Sequence, residues 1–290
     1  MARTLKSVTR SVTQSVTQSV TRSTRARIAV AASAAVVAAT VWGVAALADD
    51  DAAADGRGGS PAAITGSKAP GAPGAPGAPG APELPRVPEG IAHASEGGPN
   101  AVNITIDDGP DPTWTPKVLD VLKRHQAKAV FCMIGPAAER HPDLVKRVVA
   151  EGHRLCDHTV DHDIRMDKKP VEYQEQQILA AKKMIEDAAG GGAKVEYYRA
   201  PGGAFTPDSR RIAAAHGMRP LGWNVDSKDF RTPGVQALVD TVKAELKNGP
   251  TVLFHDGGGN RAQSVEALDR VLAWLQEQGR PTGFPVHTAP

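Results

Sequence analysis

The chain has 290 residues and a net charge of +2, from 34 lysines and arginines against 32 aspartates and glutamates. This near balance provides no strongly positive surface, so the composition argues against a protein that binds nucleic acid. The length is sufficient for one large domain or two small ones. Low-complexity sequence fills the first hundred residues, which restricts the compact fold to the remainder.

Three segments precede the first predicted strand. Residues 1–27 contain four copies of a Ser-Val-Thr-Arg/Gln tetrapeptide, from Ser7 to Arg22, and we predict that this basic segment is a disordered cytoplasmic head. Residues 28–48 carry no charge, and an apolar stretch of this length can cross a bilayer. Arginines precede this stretch and aspartates follow it, so the positive-inside rule predicts that all later residues are exported.

The fate of segment 28–48 stays open at this stage. Ala46-Leu47-Ala48 is a small-x-small site of the kind that signal peptidase cuts, which would release a secreted protein. Without cleavage, the same segment would anchor the protein to the outer face of the cytoplasmic membrane or the cell wall. Residues 49–98 are rich in Ala, Gly and Pro and predict a semi-extended linker between this segment and a folded domain at 99–290.

Strand-length apolar runs alternate with helical segments from residue 101 onward, which predicts an α/β fold with a parallel sheet or barrel. Some of the runs are continuously apolar, as expected for parallel strands that are buried on both faces. The predicted strands are 102–106, 129–134, 153–156, 195–198, 219–225 and 251–254. The predicted helices are 116–125, 142–151, 171–188, 207–215, 235–246 and 264–278.

Chemically reactive residues follow several of these strands. Asp107 and Asp108 end the first strand, and neighbouring side chains at a strand end point to opposite sides and can take different roles. His158 and His162 follow the third strand, four residues apart, which suits one metal ion on a helix face or in a tight loop. Arg199, Asp226 and His255 follow later strands. Because barrel active sites form at the carboxyl ends of strands, we expect all of these groups to converge.

Each half of this pattern also has an ordinary explanation. Asp-Gly-Pro is common turn chemistry, and an isolated His-x-x-x-His pair often lies on a solvated face. In combination, two adjacent carboxylates and two histidines supply a metal site with a spare acid or base, which indicates a metal-dependent hydrolase.

Five ordered motifs resemble those of the polysaccharide deacetylase family, the NodB-type carbohydrate esterases. They are residues 104–110, 158–162, 199–202, 226–230 and 253–256, and the resemblance covers about 99 to 290. It implies a deformed (β/α) TIM-like barrel of about seven strands that removes acetyl groups from N-acetylated sugars. It also implies one divalent metal ion, usually Zn²⁺, with Co²⁺ or another divalent ion as alternatives.

The resemblance assigns roles residue by residue. Asp108, His158 and His162 match the metal ligands, and Asp107 matches the general base. Arg199 matches the residue that pairs with this base. The remaining matches are His255 as the general acid, Asp226 as the carboxylate that orients His255 and raises its pKa, and Pro201, Gly202, Phe230 and Leu253 as substrate-binding positions.

Several positions depart from the family pattern. Asp163 stands where Pro is usual, Phe230 where Trp is usual, Ile106 where Phe is usual, and Gly202 and Gly203 where a bulkier residue is frequent. The changes at Asp163 and Phe230 remove no catalytic atom, although Phe230 lacks the indole donor of Trp and alters the shape of the groove. The two glycines thin the groove wall, so the sequence leaves the choice of substrate open. The leading expectation is peptidoglycan N-acetylglucosamine, with chitooligosaccharides or O-acetylated xylan as alternatives and an inactive glycan-binding protein as a further one. We expect a monomer that contacts the membrane only if segment 28–48 is retained. Cys132 and Cys156 could form a disulfide or remain buried thiols.

Overall fold

The computed structural model describes residues 87–288. The predictions for 1–27 and 28–48, and most of the predicted linker, lie outside this range. The expectation that the first hundred residues stay outside the core is wrong for the end of the linker, because Ala92 is buried in a cluster with Leu221 and its amide donates to the carbonyl oxygen of Pro220 at 2.8 Å. None of the helices within it has the length and apolar character needed to cross a membrane.

Seven strands form one sheet in which every neighbouring pair is parallel. The order is β5-β4-β3-β2-β1-β7-β6, and the sheet curls into a half-barrel. The strands are β1 Asn103–Asp107, β2 Ala129–Met133, β3 Arg154–Asp157, β4 Val195–Tyr198, β5 Arg219–Pro220, β6 Val225–Asp226 and β7 Thr251–His255. The prediction of a deformed TIM-like barrel of about seven strands is confirmed.

Helices cover the outer face of the sheet. They are α1 Thr115–Arg124, α2 Gly135–Arg140, α3 Pro142–Ala150, α4 Val171–Ala189, α5 Pro207–Ala215, α6 Val235–Glu245 and α7 Ala262–Glu277. Four of them have Pro in the first turn, where a backbone N–H would have no acceptor within the helix, so proline costs no hydrogen bond there. The short helix α2 was not predicted, because six residues are too few to show a helical period.

Strand β1 shows how the sheet separates apolar from reactive side chains. Ile104 and Ile106 belong to the large apolar cluster that also contains buried residues of the helices. The alternate residues Asn103, Thr105 and Asp107 are polar and almost completely buried. Since successive strand residues face opposite sides, these polar groups line the inside of the half-barrel.

The predicted strand 219–225 is wrong as a single element. Its ends form two short strands, β5 and β6, at opposite edges of the sheet. Pro220 has no N–H to donate to a neighbouring strand, so the strand does not continue through it. A Cβ at Gly222 would collide with the imidazole of His93, which shows that the chain passes close to the segment before β1. The connection between β5 and β6 therefore runs across the open side of the half-barrel.

A disulfide joins Cys132 of β2 to Cys156 of β3, which decides between the two alternatives left open by the sequence. The two cysteines are register partners, and their side chains belong to a small buried cluster with Tyr197 and Leu221. Cys132 is in turn the register partner of Asp107. For a sequence separation of 24, closing such a loop stabilises the fold by about 3 kcal/mol through the entropy of the unfolded chain.

Candidate active site

The reactive side chains named from the sequence lie at the carboxyl ends of adjacent strands. Asp107 of β1 and His255 of β7 are register partners, so they stand side by side. Asp108 follows β1, His158 follows β3, and Arg199 follows β4. The expected convergence at one end of the barrel is therefore observed for five of the predicted groups.

Asp108, His158 and His162 form a cluster that fits a metal ion. One ligand atom from each lies within 4.8 Å of the other two. The Nε2 atoms of His158 and His162 are 3.6 and 3.3 Å from the same carboxylate oxygen, Oδ1 of Asp108. That oxygen is buried and has no hydrogen-bond partner among the described residues. Two imidazoles and a carboxylate are a ligand set for a divalent metal with open positions.

A second contact orients His158. Its Nδ1 is 2.8 Å from the backbone carbonyl oxygen of Arg199, which can only accept, so Nδ1 carries the proton and Nε2 faces Asp108 with its lone pair. Burial lowers the pKa of His158, which favours the neutral form that binds metal.

The two histidines lie in a tight loop between β3 and the following helix. Thr159 and His162 both have positive φ, at 70° and 51°, and Asp108 has φ of 77°. These left-handed conformations are unfavourable for residues with a Cβ and persist only when the surroundings hold them. The Thr159 amide donates to Asp157 at 2.6 Å, and Gln177 of α4 accepts from two further amides of the loop. The fold therefore maintains the ligand geometry against its local strain.

Asp107 and Arg199 form a buried ion pair. Arg199 Nη1 donates to Asp107 Oδ1 at 2.6 Å, and both side chains are almost completely inaccessible. The guanidinium also donates to Thr105 Oγ1 at 2.9 Å and to the carbonyl oxygens of Leu221 and Gly222 at 3.1 and 2.9 Å. These bonds fix Arg199 against the chain that crosses the open side of the barrel. Asp107 Oδ2 remains directed toward the ligand cluster, 3.6 Å from His158 Nε2.

The carboxylate that contacts His255 is Asp229, which corrects the prediction of Asp226. Asp229 Oδ1 is 2.6 Å from His255 Nδ1, and Asp229 Oδ2 accepts from the His255 amide at 2.9 Å. Asp226 instead accepts from the backbone N–H of Lys228 at 2.9 Å, as the first residue of a tight turn. Lys228 adopts φ of 59°, and this turn directs Asp229 toward the end of β7.

The environment of His255 makes it a stronger base than a free imidazole. Burial alone lowers its pKa, but the hydrogen bond and charge of Asp229, with the charges of Asp107 and Asp108, outweigh burial and raise this pKa to about 8. Burial also acts to raise the pKa of Asp229, and the bond to His255 overcomes this effect and lowers it. In the metal-free protein the pair therefore exists as imidazolium and carboxylate at neutral pH.

Comparison with known proteins agrees with this geometry. The family model described as polysaccharide deacetylase matches residues 94–221. A peptidoglycan-N-acetylglucosamine deacetylase of Bacillus cereus is 39% identical over 180 residues, covering 61% of this chain and 83% of that protein. A chitooligosaccharide deacetylase of a Bradyrhizobium strain is 36% identical over 204 residues, covering 67% and 90%.

The chain belongs to the polysaccharide deacetylase family. The crystal structure of a peptidoglycan N-acetylglucosamine deacetylase superposes with a TM-score of 0.62 at 30% identity, covering 67% of this chain and 90% of that one. The family consists of hydrolases that act on N-acetylated sugars and that are metal-dependent in general.

Around the reactive groups of this deacetylase, the predicted substrate-binding positions form the mouth of the site. Phe230 is 48% exposed, and its ring packs edge-on against His255 with centroids 5.8 Å apart. Leu253 and Pro201 are buried. Gly202 is exposed with φ of 59°, a conformation that favours glycine.

Sequence reasoning missed two mouth residues. Trp223 lies 5.6 Å from the Arg199 guanidinium, and a Cβ at Gly203 would come within 3.1 Å of its ring. Ile164 lies beside Gly202, at 3.3 Å from a Cβ built there. An isolated Trp within an apolar run and an Ile after a metal-binding motif carry no signal of their own in a single sequence.

The loop after β7 also approaches the ligand cluster. A Cβ at Gly257 would collide with the backbone of Asp108, so glycine is required for this approach. Asp256, which precedes it, is fully buried and accepts a hydrogen bond from Thr115. Burial, together with the charges of Asp108 and Asp107, raises the pKa of Asp256 to about 7, although the Thr115 bond opposes the shift.

Proposed function

We propose that this protein removes the acetyl group from N-acetylglucosamine units of peptidoglycan, using a divalent metal held by Asp108, His158 and His162. The observation that carries the proposal is the placement of Asp107 and His255 as register partners beside this ligand cluster. Amide hydrolysis needs a base and an acid next to one metal site.

In the proposed reaction, water adds to the acetyl carbon, the carbon–nitrogen bond breaks, and acetate and a free amine leave. A bound divalent ion would polarise the acetyl carbonyl and lower the pKa of the attacking water. Asp107 Oδ2 takes the proton of that water, because Oδ1 is held by Arg199. His255 donates a proton from Nε2 to the departing nitrogen, since Nδ1 is held by Asp229.

Zn²⁺ is the proposed metal, since two imidazoles and one carboxylate suit it, and Co²⁺ is a competent substitute. His162 is the ligand to test, because its side chain is 34% exposed and its removal leaves no large cavity. We expect His162→Ala to weaken Zn²⁺ binding by about 100-fold and to reduce acetate release with it. Isothermal titration with Zn²⁺ measures the affinity. Unchanged affinity in the variant would contradict the assignment.

Chitooligosaccharide deacetylation is the second candidate, supported by the Bradyrhizobium relative. Acetate release should be measured from N-acetylated peptidoglycan strands, chitopentaose and acetylated xylan, with and without chelator. We expect the highest kcat/KM on peptidoglycan strands, and loss of release with chelator that added Zn²⁺ reverses. Higher kcat/KM on chitopentaose would favour the second candidate, and release only from xylan would refute both.

We further propose that the catalytic domain acts outside the membrane, beyond the linker that begins at residue 49. The disulfide between Cys132 and Cys156 supports this location, since disulfides persist in oxidising compartments. We also propose that the protein is a monomer. We expect either a secreted form that begins at Asp49 or an uncleaved form in the membrane fraction. N-terminal sequencing of both fractions distinguishes them, and uncleaved protein with free thiols in the cytosol would contradict export.

A further inference from the structure

Two large apolar side chains stand out from the described surface. Ile164 is 61% exposed and Phe230 is 48% exposed, and these are the two exposed large apolar residues in the range 87–288. Both belong to the mouth of the site. Ile164 lies against Gly202 and follows the ligand His162 by two positions, whereas Phe230 packs on His255. Apolar surface beside reactive groups suits the faces of sugar rings, which present C–H groups.

An exposed arginine follows each of these residues. Arg231 follows Phe230, and its guanidinium lies 5.5 Å from the centroid of the Phe230 ring, so it is one ring away from His255. Arg165 follows Ile164, and its amide donates to Asp163, which fixes its place beside the ligand loop. Each edge of the mouth thus carries an apolar residue and a cation.

These two arginines differ from the neighbouring cations in having no carboxylate partner among the described residues. The other cations of the same segments are matched to acids: Lys168 to Asp167 at 2.7 Å, Lys169 to Asp163 at 3.7 Å, and Lys228 to Glu245 at 3.7 Å. The guanidinium groups of Arg165 and Arg231 are therefore the charges of this rim that remain available to a ligand.

We propose that Arg165 and Arg231 select glycans whose sugar units carry carboxylates close to the acetylated unit. This inference rests on the proposed function and specifies its substrate class. A guanidinium binds a carboxylate through parallel charged hydrogen bonds, and a neutral glycan provides no such group. The apolar residues hold the sugar faces, and the arginines distinguish an acidic polymer from a neutral one of the same backbone.

The test uses two matched forms of one polymer. Peptide-free glycan strands with ether-linked lactate carboxylates are compared with the same strands after the carboxylates are converted to neutral amides. The selectivity is the ratio of kcat/KM for the acidic form to that for the amidated form. We expect the wild-type ratio to be about tenfold at low salt and to fall toward one in R165Q/R231Q, mainly through KM.

Lys123→Gln is the control variant, since it removes one exposed positive charge from the last turn of α1, at the opposite end of the barrel. It should leave the ratio unchanged. An unchanged ratio in R165Q/R231Q, or an equal change in the control, would refute the inference while leaving deacetylation intact. If the wild-type protein released no acetate from the acidic strands, from the amidated strands or from chitopentaose, the proposed function itself would be refuted.

Discussion

Asp107→Asn is expected to reduce kcat for acetate release by about 10³–10⁴-fold, because the variant cannot take a proton from water. The side chain keeps its shape, and Asn Oδ1 can still accept from Arg199, so the fold should persist. Asp107 lies beside the metal-binding cluster but is not one of its three members. The affinity for Zn²⁺ should therefore remain within about threefold of the wild-type value.

Asp108→Asn is the matched control for this experiment, since it alters the adjacent carboxylate. Its Oδ1 faces both histidine Nε2 atoms, so the variant should lose Zn²⁺ affinity as well as activity. Acetate assays at saturating substrate and titrations with Zn²⁺ separate the two effects. Equal loss of metal affinity in both variants, or full activity in Asp107→Asn, would show that Asp107 and Asp108 do not serve separately as base and metal ligand.

Asp229→Asn is expected to lower kcat by about 10²–10⁴-fold, whereas Asp226→Asn should have an effect below about threefold. An amide at position 229 can donate to His255 Nδ1, which places the proton on the wrong ring nitrogen. It also removes the charge that keeps the imidazolium stable against burial. The side chain of Asp226 accepts its bond from the Lys228 amide within the same turn, and Asp226 serves as the matched control.

The pH dependence of the same variants gives an independent measurement. The pKa of His255 is raised to about 8 in the metal-free protein, so its acid form is present below that pH and is lost as pH rises through it. In Asp229→Asn, the hydrogen bond and the negative charge that most oppose the effect of burial are lost, so the pKa of His255 should fall below about 8. NMR titration of the His255 ring in the metal-free proteins measures both values. A pKa that drops in Asp226→Asn instead would restore the assignment made from the sequence.

Much of the fold could be predicted because its signals are local. The apolar runs of β1, β2 and β7 and the helical period of α4 are visible in short windows, and the strand ends mark where reactive groups gather. The prediction of one strand over 219–225 was wrong because an apolar run does not show which edge of a sheet each half joins. That depends on the chain crossing the open side, where Arg199 binds its carbonyls.

By itself, the sequence determined the class of fold, the Asp107-Asp108 doublet, the histidine pair and the place of the chemistry at the strand ends, since each follows from spacing along the chain. Only the tertiary structure shows that Asp229 rather than Asp226 contacts His255, because Lys228 adopts a left-handed conformation that brings Asp229 to the end of β7. The tertiary structure also shows that Cys132 and Cys156 form a disulfide. It further shows that Arg165 and Arg231 have no carboxylate partner among the described residues. A residue's partners depend on which distant segments pack around it, and no local pattern of residues contains that information.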